Sequence, residues 1–347
     1  MTFTFIRQQM VKNSKSNFLT TLNQYAVENI VSEKYRTHLI HFYESYKNSL
    51  EAHHASIQTY EAVFCTFLDL VKKQLITPYS FQPYHAQVRQ PFDYYRFGIE
   101  FLRPLVDTSL SSAKGLRYAD EIASSLKKGE NVILLANHQI EADPQAISIL
   151  LEKTHPELGT SMIFVAGERV ITDPLAVPFS MGRNLLCIYS KRYIDHPPED
   201  KLKKQLHNKR TMELMSELLE EGGKCIYVAP SGGRDRINQD GVIELAPFDP
   251  QSIEMFYLMT KKASKTTHFY PLALATYDLL PPPETIQIEL GELRSTQRGG
   301  IRLAFGPKID MEHFPGSDNQ DKHARRKARA DSIYAQVKKD YLRISSK

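Results

Sequence analysis

The residues best suited to chemistry in this chain are His138 and Asp143, in the stretch "LLANHQIEAD" that runs from Leu134 to Asp143. An imidazole can take a proton near neutral pH. A carboxylate on its other ring nitrogen fixes the tautomer and supports the imidazolium that forms. The two stand five positions apart, close enough to meet if the chain turns between them. Asp143 also has a plainer reading. Asp-Pro ahead of an amphipathic run is a helix start, with Asp as the cap and Pro at the first helical position. Thr172-Asp173-Pro174 repeats that arrangement with no histidine before it. It is the pairing with His138 that favours catalysis. No Gly-x-Ser-x-Gly turn occurs, and no cysteine lies near a suitable histidine. The pair is therefore expected to deprotonate a substrate hydroxyl directly, with no acyl-enzyme intermediate.

Two further stretches could hold an anion. In "VAPSGGRDR", Val228 to Arg236, the residues Ser231, Gly232 and Gly233 can turn backbone N–H groups toward a negative charge, and Arg234 and Arg236 flank Asp235. In "YSKRY", Tyr189 to Tyr193, Lys191 and Arg192 follow another apolar run. Either could instead be a polar turn with solvated charges. One base and two cationic clusters, each placed after an apolar run, point to a substrate bearing both a hydroxyl and a phosphate.

These side chains need a scaffold that brings several strand ends together. Residues 1–77 read as a small helical bundle: Leu19, Leu22, Ala26 and Ile30, then Leu39, Tyr43, Tyr46 and Leu50, then Tyr60, Val63, Phe67 and Val71 fall at helical spacing. His53 and His54 are expected between helices, exposed and without a metal. The proline-bearing stretch over 78–95 reads as a linker. From 96 to 347 short apolar runs alternate with amphipathic helices. That pattern predicts an α/β domain with a mixed, mostly parallel sheet flanked by helices. Strands are expected at Val132–Ala136, Met162–Ala166, Leu185–Tyr189, Cys225–Ala229 and Phe269–Ala275, and "TIQIEL" (285–290) reads as an edge or antiparallel strand. Helices are expected at Arg117–Lys128, Pro144–Lys153, Pro174–Met181, Lys209–Glu221, Gln251–Lys262 and about Asp321–Arg343. In such a domain, function gathers past the carboxyl ends of the strands, and His138 lies just beyond one.

Composition bounds the rest. With 347 residues, 41% hydrophobic and 24% charged, the chain can bury a sizeable core. Its longest apolar run, Phe269 to Ala275, falls far short of the roughly 20 residues that span a bilayer. A net charge of +4 is too mild to argue for nucleic acid. The three cysteines, Cys65, Cys187 and Cys225, are widely spaced, which suggests inert thiols in a reducing compartment. The opening "MTFTFIRQQMVKNSKSNF" lacks the apolar core of a secretory signal, and its basic and hydroxyl residues give a faint likeness to a transit peptide.

Four ordered blocks then match a known family. "NHQIEAD" resembles the His-x4-Asp box of glycerolipid acyltransferases, "PFSMGRNLLCIYSKR" their second block, "VAPSGGRDR" the third and "FYPLALA" the fourth. "AGERVITDPLAVPFSMGRNL" and "APSGGRDR" are similar to the wording of the soluble glycerol-3-phosphate 1-acyltransferases of plastids and chlamydia-like bacteria. The resemblance is strong over about 130–310. It implies acyl transfer from acyl-carrier protein, or acyl-CoA, to the sn-1 hydroxyl of glycerol 3-phosphate, with no metal and no cofactor. His138 would be the general base and Asp143 its orienting partner, with Lys191, Arg192, Arg234 and Arg236 holding the phosphate. Where the plant enzymes read Ser-Lys-Lys-His, this chain has Ser190, Lys191, Arg192 and Tyr193, which alters the donor geometry of that corner. The expected compartment is a bacterial cytoplasm, or alternatively a plastid stroma, and the expected state a monomer.

Because carrier proteins are acidic, a docking face should be basic. "KLKKQLHNKR" (Lys201 to Arg210), with Lys203, Lys204 and Lys209, is the first candidate, and "KHARRKAR" (Lys322 to Arg329) the second. Three rival readings stand beside this one, and the most distant, a non-catalytic carrier- or lipid-binding module, is opposed by the intact pair of His138 and Asp143. A lysophosphatidate acyltransferase would share the boxes but bring membrane-inserting segments. A metal-dependent phosphoesterase would use His138, Glu141 and Asp143 as ligands.

Overall fold

A computed structural model describes residues 17–190, 194–283 and 292–345. The chain opens with three helices: α1 (Phe18–Val27), α2 (Glu33–Glu51) and α3 (Glu61–Ile76). Asn17 and Ser32 cap the first two by accepting from Thr20 N and Tyr35 N, which satisfies amides that the helix itself cannot. Of the apolar positions read from the sequence, Leu22, Leu39, Tyr43, Tyr46, Leu50, Val63, Phe67 and Val71 are buried, while Leu19, Ala26, Ile30 and Tyr60 are half-buried. His53 and His54 are exposed in the turn after α2.

The stretch expected as a linker contributes an edge strand, β1 (Tyr84–His85), and leads into α4 (Tyr94–Leu102). Then come β2 (Ser112–Lys114), α5 (Leu116–Lys127), β3 (Asn131–Ala136), α6 (Asp143–Leu151), α7 (Pro156–Ser161) and β4 (Ile163–Gly167). Two short helices follow, α8 (Glu168–Thr172) and α9 (Val177–Ser180), where the sequence suggested one over Pro174–Met181. Asp173-Pro174 opens a turn between them, with Asp173 accepting from Leu175 N. The chain continues through β5 (Asn184–Ile188), α10 (Lys201–Glu221), β6 (Cys225–Val228), the small hairpin β7 (Arg236–Ile237) and β8 (Ile243–Glu244), α11 (Pro250–Lys262), β9 (Thr267–Ala275), β10 (Arg302–Phe305) and α12 (Lys322–Ser345). The expected strand over 285–290 lies outside the described residues.

The main sheet runs β1-β5-β4-β6-β3-β9-β10-β2. Its five central strands are parallel, β1 lies antiparallel to β5, and β10 is antiparallel to β9 but parallel to β2. β3 sits in the middle with all six residues buried. Alternate side chains go to opposite faces. Val132, Leu134 and Ala136 join a core with the N-terminal helices, while Ile133 and Leu135 join one built on α10, α11 and α12. A strand covered on both sides reads as a continuous apolar run, which is what "VILLA" is.

The N-terminal helices share the first of these cores with the sheet. Tyr46 Oη donates to Phe101 O at 2.7 Å, and Phe64 and Phe179 both pack on the Phe101 ring at centroid distances of 5.1 Å. Ser45 Oγ accepts from Thr296 N at 3.0 Å, and Ser49 Oγ donates to Thr296 O at 2.7 Å. α2 thereby holds down a loop that carries site residues. All three cysteines are buried thiols outside any disulfide, and burial pushes the thiols of Cys187 and Cys225 up to about 12.

Candidate active site

His138 lies two residues past the end of β3, and Asp143 is the first residue of α6. The carboxylate does not cap that helix. Ala142 takes the cap position, no side chain caps the end, and Asp143 turns back over the loop. Its Oδ2 meets His138 Nδ1 at 2.8 Å and also accepts from Gln139 N at 2.9 Å. Its Oδ1 accepts from Thr276 Oγ1 at 2.6 Å. Asp143 is 1% exposed. A carboxylate taken from water to this degree needs such donors to remain charged. With Nδ1 engaged, Nε2 is the ring nitrogen left to exchange a proton with a ligand.

The loop carrying His138 is fixed by buried amides. Asn137 Nδ2 donates to Asp235 Oδ2 at 2.7 Å and to Leu274 O at 2.9 Å, and its Oδ1 accepts from Leu274 N at 2.8 Å. Gln139 Oε1 accepts from Thr276 N and Tyr277 N, at 2.6 and 3.0 Å. Asp235 N donates to His138 O at 2.7 Å, and Tyr227 Oη to Asn137 O at 2.8 Å. The loops after β3, β6 and β9 are thus tied into one floor under the imidazole. Burial pushes the Asp235 carboxyl up to about 6, against the lowering effect of its bonds from Asn137, Ala246 and Gln139.

A cluster of opposite charges stands beside this floor. Arg234 bonds to Glu141 and, through Nη2, to both carboxylate oxygens of Glu292 at 2.9 and 3.0 Å. Arg169, just past β4, also bonds to Glu292. Arg294 donates to Glu141 at 3.1 Å, to Glu292 at 3.2 Å and to Leu280 O at 2.5 Å. Burial opposes the charge on Glu141, but Arg294 and Arg234 outweigh it and hold its carboxyl below the ordinary glutamate range. Arg236 donates to Pro283 O and has no carboxylate partner among the described residues.

Sequence reasoning placed His138, Asp143, Arg234 and Arg236 in one neighbourhood, and the structure brings all four there. Lys191 and Arg192 lie outside the described residues. The phosphoesterase ligand set does not assemble, because Glu141 turns to Arg234 and Arg294. Lys204 corrects the docking expectation. It is 5% exposed, donates to His196 O at 2.6 Å and pairs with Glu168 at 3.0 Å, so it cannot serve on a rim. Lys203 and Lys209 are exposed on α10. In the second basic stretch Arg329 is buried against Glu254. Arg169, Glu292 and Arg294 were not singled out. Arg169 could have been, since it follows a strand end as His138 and Arg234 do. "GELRS" carries no such signal.

A cavity of about 270 Å³ opens onto the histidine. Its walls are mainly apolar, with Leu39, Phe42, Phe101, Leu105 and Phe179 among them, while Glu141, Arg169, Glu292 and Arg294 line it on the charged side. The site can therefore hold an apolar chain and an anion on either side of one base.

The chain is similar to known acyltransferases. The Acyltransferase family matches residues 118–275. The chain is 38% identical to the chloroplastic glycerol-3-phosphate acyltransferase of Arabidopsis thaliana, over 88% of this chain and 67% of that protein. It is 42% identical to a chloroplastic glycerol-3-phosphate acyltransferase of Cucurbita moschata, over 78% of this chain and 61% of that one. The spinach (Spinacia oleracea) chloroplastic enzyme is 38% identical over 86% of this chain and 62% of its own length. The chain thus spans from about three fifths to two thirds of these relatives. Among solved structures it is similar to the 1-acyl-sn-glycerophosphate acyltransferase of Thermotoga maritima at 15% identity and a TM-score of 0.41, covering 95% of this chain and 97% of that one, too loose a likeness to carry an argument.

Proposed function

The chain belongs to the glycerol-3-phosphate acyltransferases, and from that premise we propose that His138 and Asp143 transfer a fatty acyl group by direct attack from a thioester donor to the sn-1 hydroxyl of glycerol 3-phosphate. One observation carries the reading: His138 lines a single cavity together with apolar side chains and with Arg169 and Arg294 of the charged cluster. As the acceptor hydroxyl attacks the thioester carbonyl, His138 Nε2 takes its proton and Asp143 supports the imidazolium. Collapse of the tetrahedral intermediate forms the ester C–O bond and breaks the C–S bond. The departing thiolate takes the proton back from the imidazolium. No residue of this chain becomes acylated.

The charge balance supports an acceptor phosphate. Arg169, Arg234 and Arg294 against Glu141 and Glu292 leave one positive charge in excess, and Arg236 adds a second. A phosphate dianion neutralises that excess and can take guanidinium donors in bidentate fashion. Lys191 and Arg192 would complete this corner.

Acyl-carrier protein is the donor this reading favours, docking on the exposed part of α10, with acyl-CoA as the alternative and a monomer as the working species. The relatives are named chloroplastic, which supports a plastid stroma over the bacterial cytoplasm. Among the described residues no helix is long and apolar enough to cross a membrane, which weighs against the lysophosphatidate rival as framed above. The deciding experiment incubates the protein with labelled glycerol 3-phosphate and acylated carrier protein. Labelled lysophosphatidate is the expected product. No labelled product from glycerol 3-phosphate, with labelled phosphatidate formed only when labelled lysophosphatidate is supplied as acceptor, would reassign the enzyme.

A further inference from the structure

We propose, building on the assignment of the apolar cavity to the acyl chain, that Arg183 and Gln145 form a polar stop that decides which acyl lengths the cavity accepts. Both side chains line the same cavity as His138, and each residue is 3% exposed. Arg183 Nη1 donates to Ser148 Oγ at 2.6 Å, and the guanidinium stacks on the Tyr95 ring at 4.6 Å. Its Nε and Nη2 are buried and find no acceptor among the described residues. Nor does a carboxylate pair with it there. Gln145 Nε2 reaches Phe179 O at 3.4 Å, but its Oε1 is buried with no donor among the described residues. Buried polar atoms are satisfied by protein or water in the great majority of cases, so these three, set apart from the unmet atoms of Glu141, Arg169 and Arg294 in the charged cluster on the same cavity, mark a second place that keeps water.

Register places this pair well away from the chemistry. Asn184, the next residue, pairs with Ile163, Ile163 with Ile226, and Ile226 with Ile133. Arg183 therefore precedes β5 at the amino ends of the parallel strands, opposite the carboxyl ends that present His138. Its anchor Ser148 lies five residues beyond Asp143 on α6, roughly 7–8 Å along the helix axis. Gly98 keeps the approach open: a Cβ there would sit 3.2 Å from Gln145 Nε2 and 3.7 Å from the Phe179 ring.

An acyl chain sliding along Phe101, Leu105 and Phe179 gains affinity with each methylene it buries, about tenfold for every two carbons. A carbon that arrives against Arg183 and Gln145 displaces their water and returns no hydrogen bond, so the gain ends there. Arg183 is thus a specificity-determining residue for the donor.

The test is a series of saturated acyl donors of rising length, run at fixed glycerol 3-phosphate with the full chain. Wild type, Arg183→Met, Arg183→Lys, Gln145→Leu and Gly98→Phe are compared. The expected wild-type kcat/KM climbs with length and then breaks. Arg183→Met should raise the ratio of the first disfavoured donor to the last favoured one by about tenfold, Gln145→Leu should move it in the same direction by less, and Arg183→Lys should retain the break. The proposal falls if wild type shows no break, or if Met and Leu scale all lengths alike. Should melting show that Arg183→Met does not fold, Gln145→Leu decides alone. Failure of the acyl-site assignment is separately visible: Gly98→Phe, which fills the cavity, would then leave long donors unaffected.

Discussion

Asp143 begins α6 yet gives its carboxylate to His138, Oδ2 to Nδ1 at 2.8 Å, and not to the helix amides behind it. The plainer capping assignment and the catalytic one therefore separate cleanly. His138→Ala should lower kcat by about 10²–10⁴-fold while the Michaelis constant for glycerol 3-phosphate moves little, since the arginines lie elsewhere. Asp143→Asn should lower kcat by a comparable factor, because an amide does not support an imidazolium. Steady-state kinetics on both variants check this. An Asn variant with normal turnover and only a lower melting temperature would mean that the carboxylate is structural.

Arg236 and Arg234 differ in how their loss should be felt. Arg236 contacts a carbonyl and no carboxylate among the described residues, so Arg236→Ala should act on the acceptor almost alone. A charge-assisted contact of about 1.5–3 kcal/mol corresponds to a Michaelis constant for glycerol 3-phosphate raised by roughly 10–100-fold. Arg234→Ala should raise the same constant and also lower the melting temperature, since it takes one guanidinium from both Glu141 and Glu292 and leaves them to Arg169 and Arg294 in a largely buried cluster. Unchanged Michaelis constants in both variants would leave Arg234 a structural partner of Glu141 and Glu292 and Arg236 outside the acceptor site.

Much of this was legible in the sequence, because the strands it depends on are short, apolar and bounded by glycine or polar residues. β3, β4, β5, β6 and β9 sit within one or two residues of their expected limits, and His138 past β3 follows from that. What was not legible depends on long-range pairing. Asn137 and Gln139 look like ordinary polar neighbours of a histidine until the loops after β6 and β9 arrive to be bonded. Arg294 sits in a polar loop whose meaning comes from α2 pressing it onto Glu141. Lys204 was grouped with its neighbours because a run of lysines carries no mark of which one faces inward. Helical phase on α10 buries that one and leaves Lys203 and Lys209 outside.

Asp235 gives a pH prediction of definite sign. Its folded value of about 6 lies above the ordinary aspartate value of 3.8. Folding therefore favours the protonated form. The contribution is fully present below about pH 4 and is lost as pH rises through 6, with a total of up to about 3 kcal/mol. Denaturant melts of wild type and Asp235→Asn at pH 4, 5, 6 and 7, taken as differences, should show wild type losing ground steadily over that window. A difference that stays flat with pH would mean that Asp235 remains ionised throughout.

The carrier-docking expectation now rests on fewer residues. Lys203 and Lys209 are exposed on α10, and Leu202 and Leu206 stand beside them at 66% and 57% exposure, an apolar pair within a basic rim. An acidic carrier helix with apolar positions would complement both features. Lys204 is left intact in the test, since reversing a buried ammonium bonded to Glu168 would unsettle the fold. Rim charges act mainly on association rate and its salt dependence, screened over about 8–10 Å at physiological salt. Lys203→Glu combined with Lys209→Glu should raise the Michaelis constant for acyl-carrier protein several-fold. Added salt should shrink the gap to wild type, and the constant for acyl-CoA should move much less. Equal shifts for both donors would mean that these lysines sense the part the donors share, the pantetheine or the acyl chain, and that the carrier docks on another face.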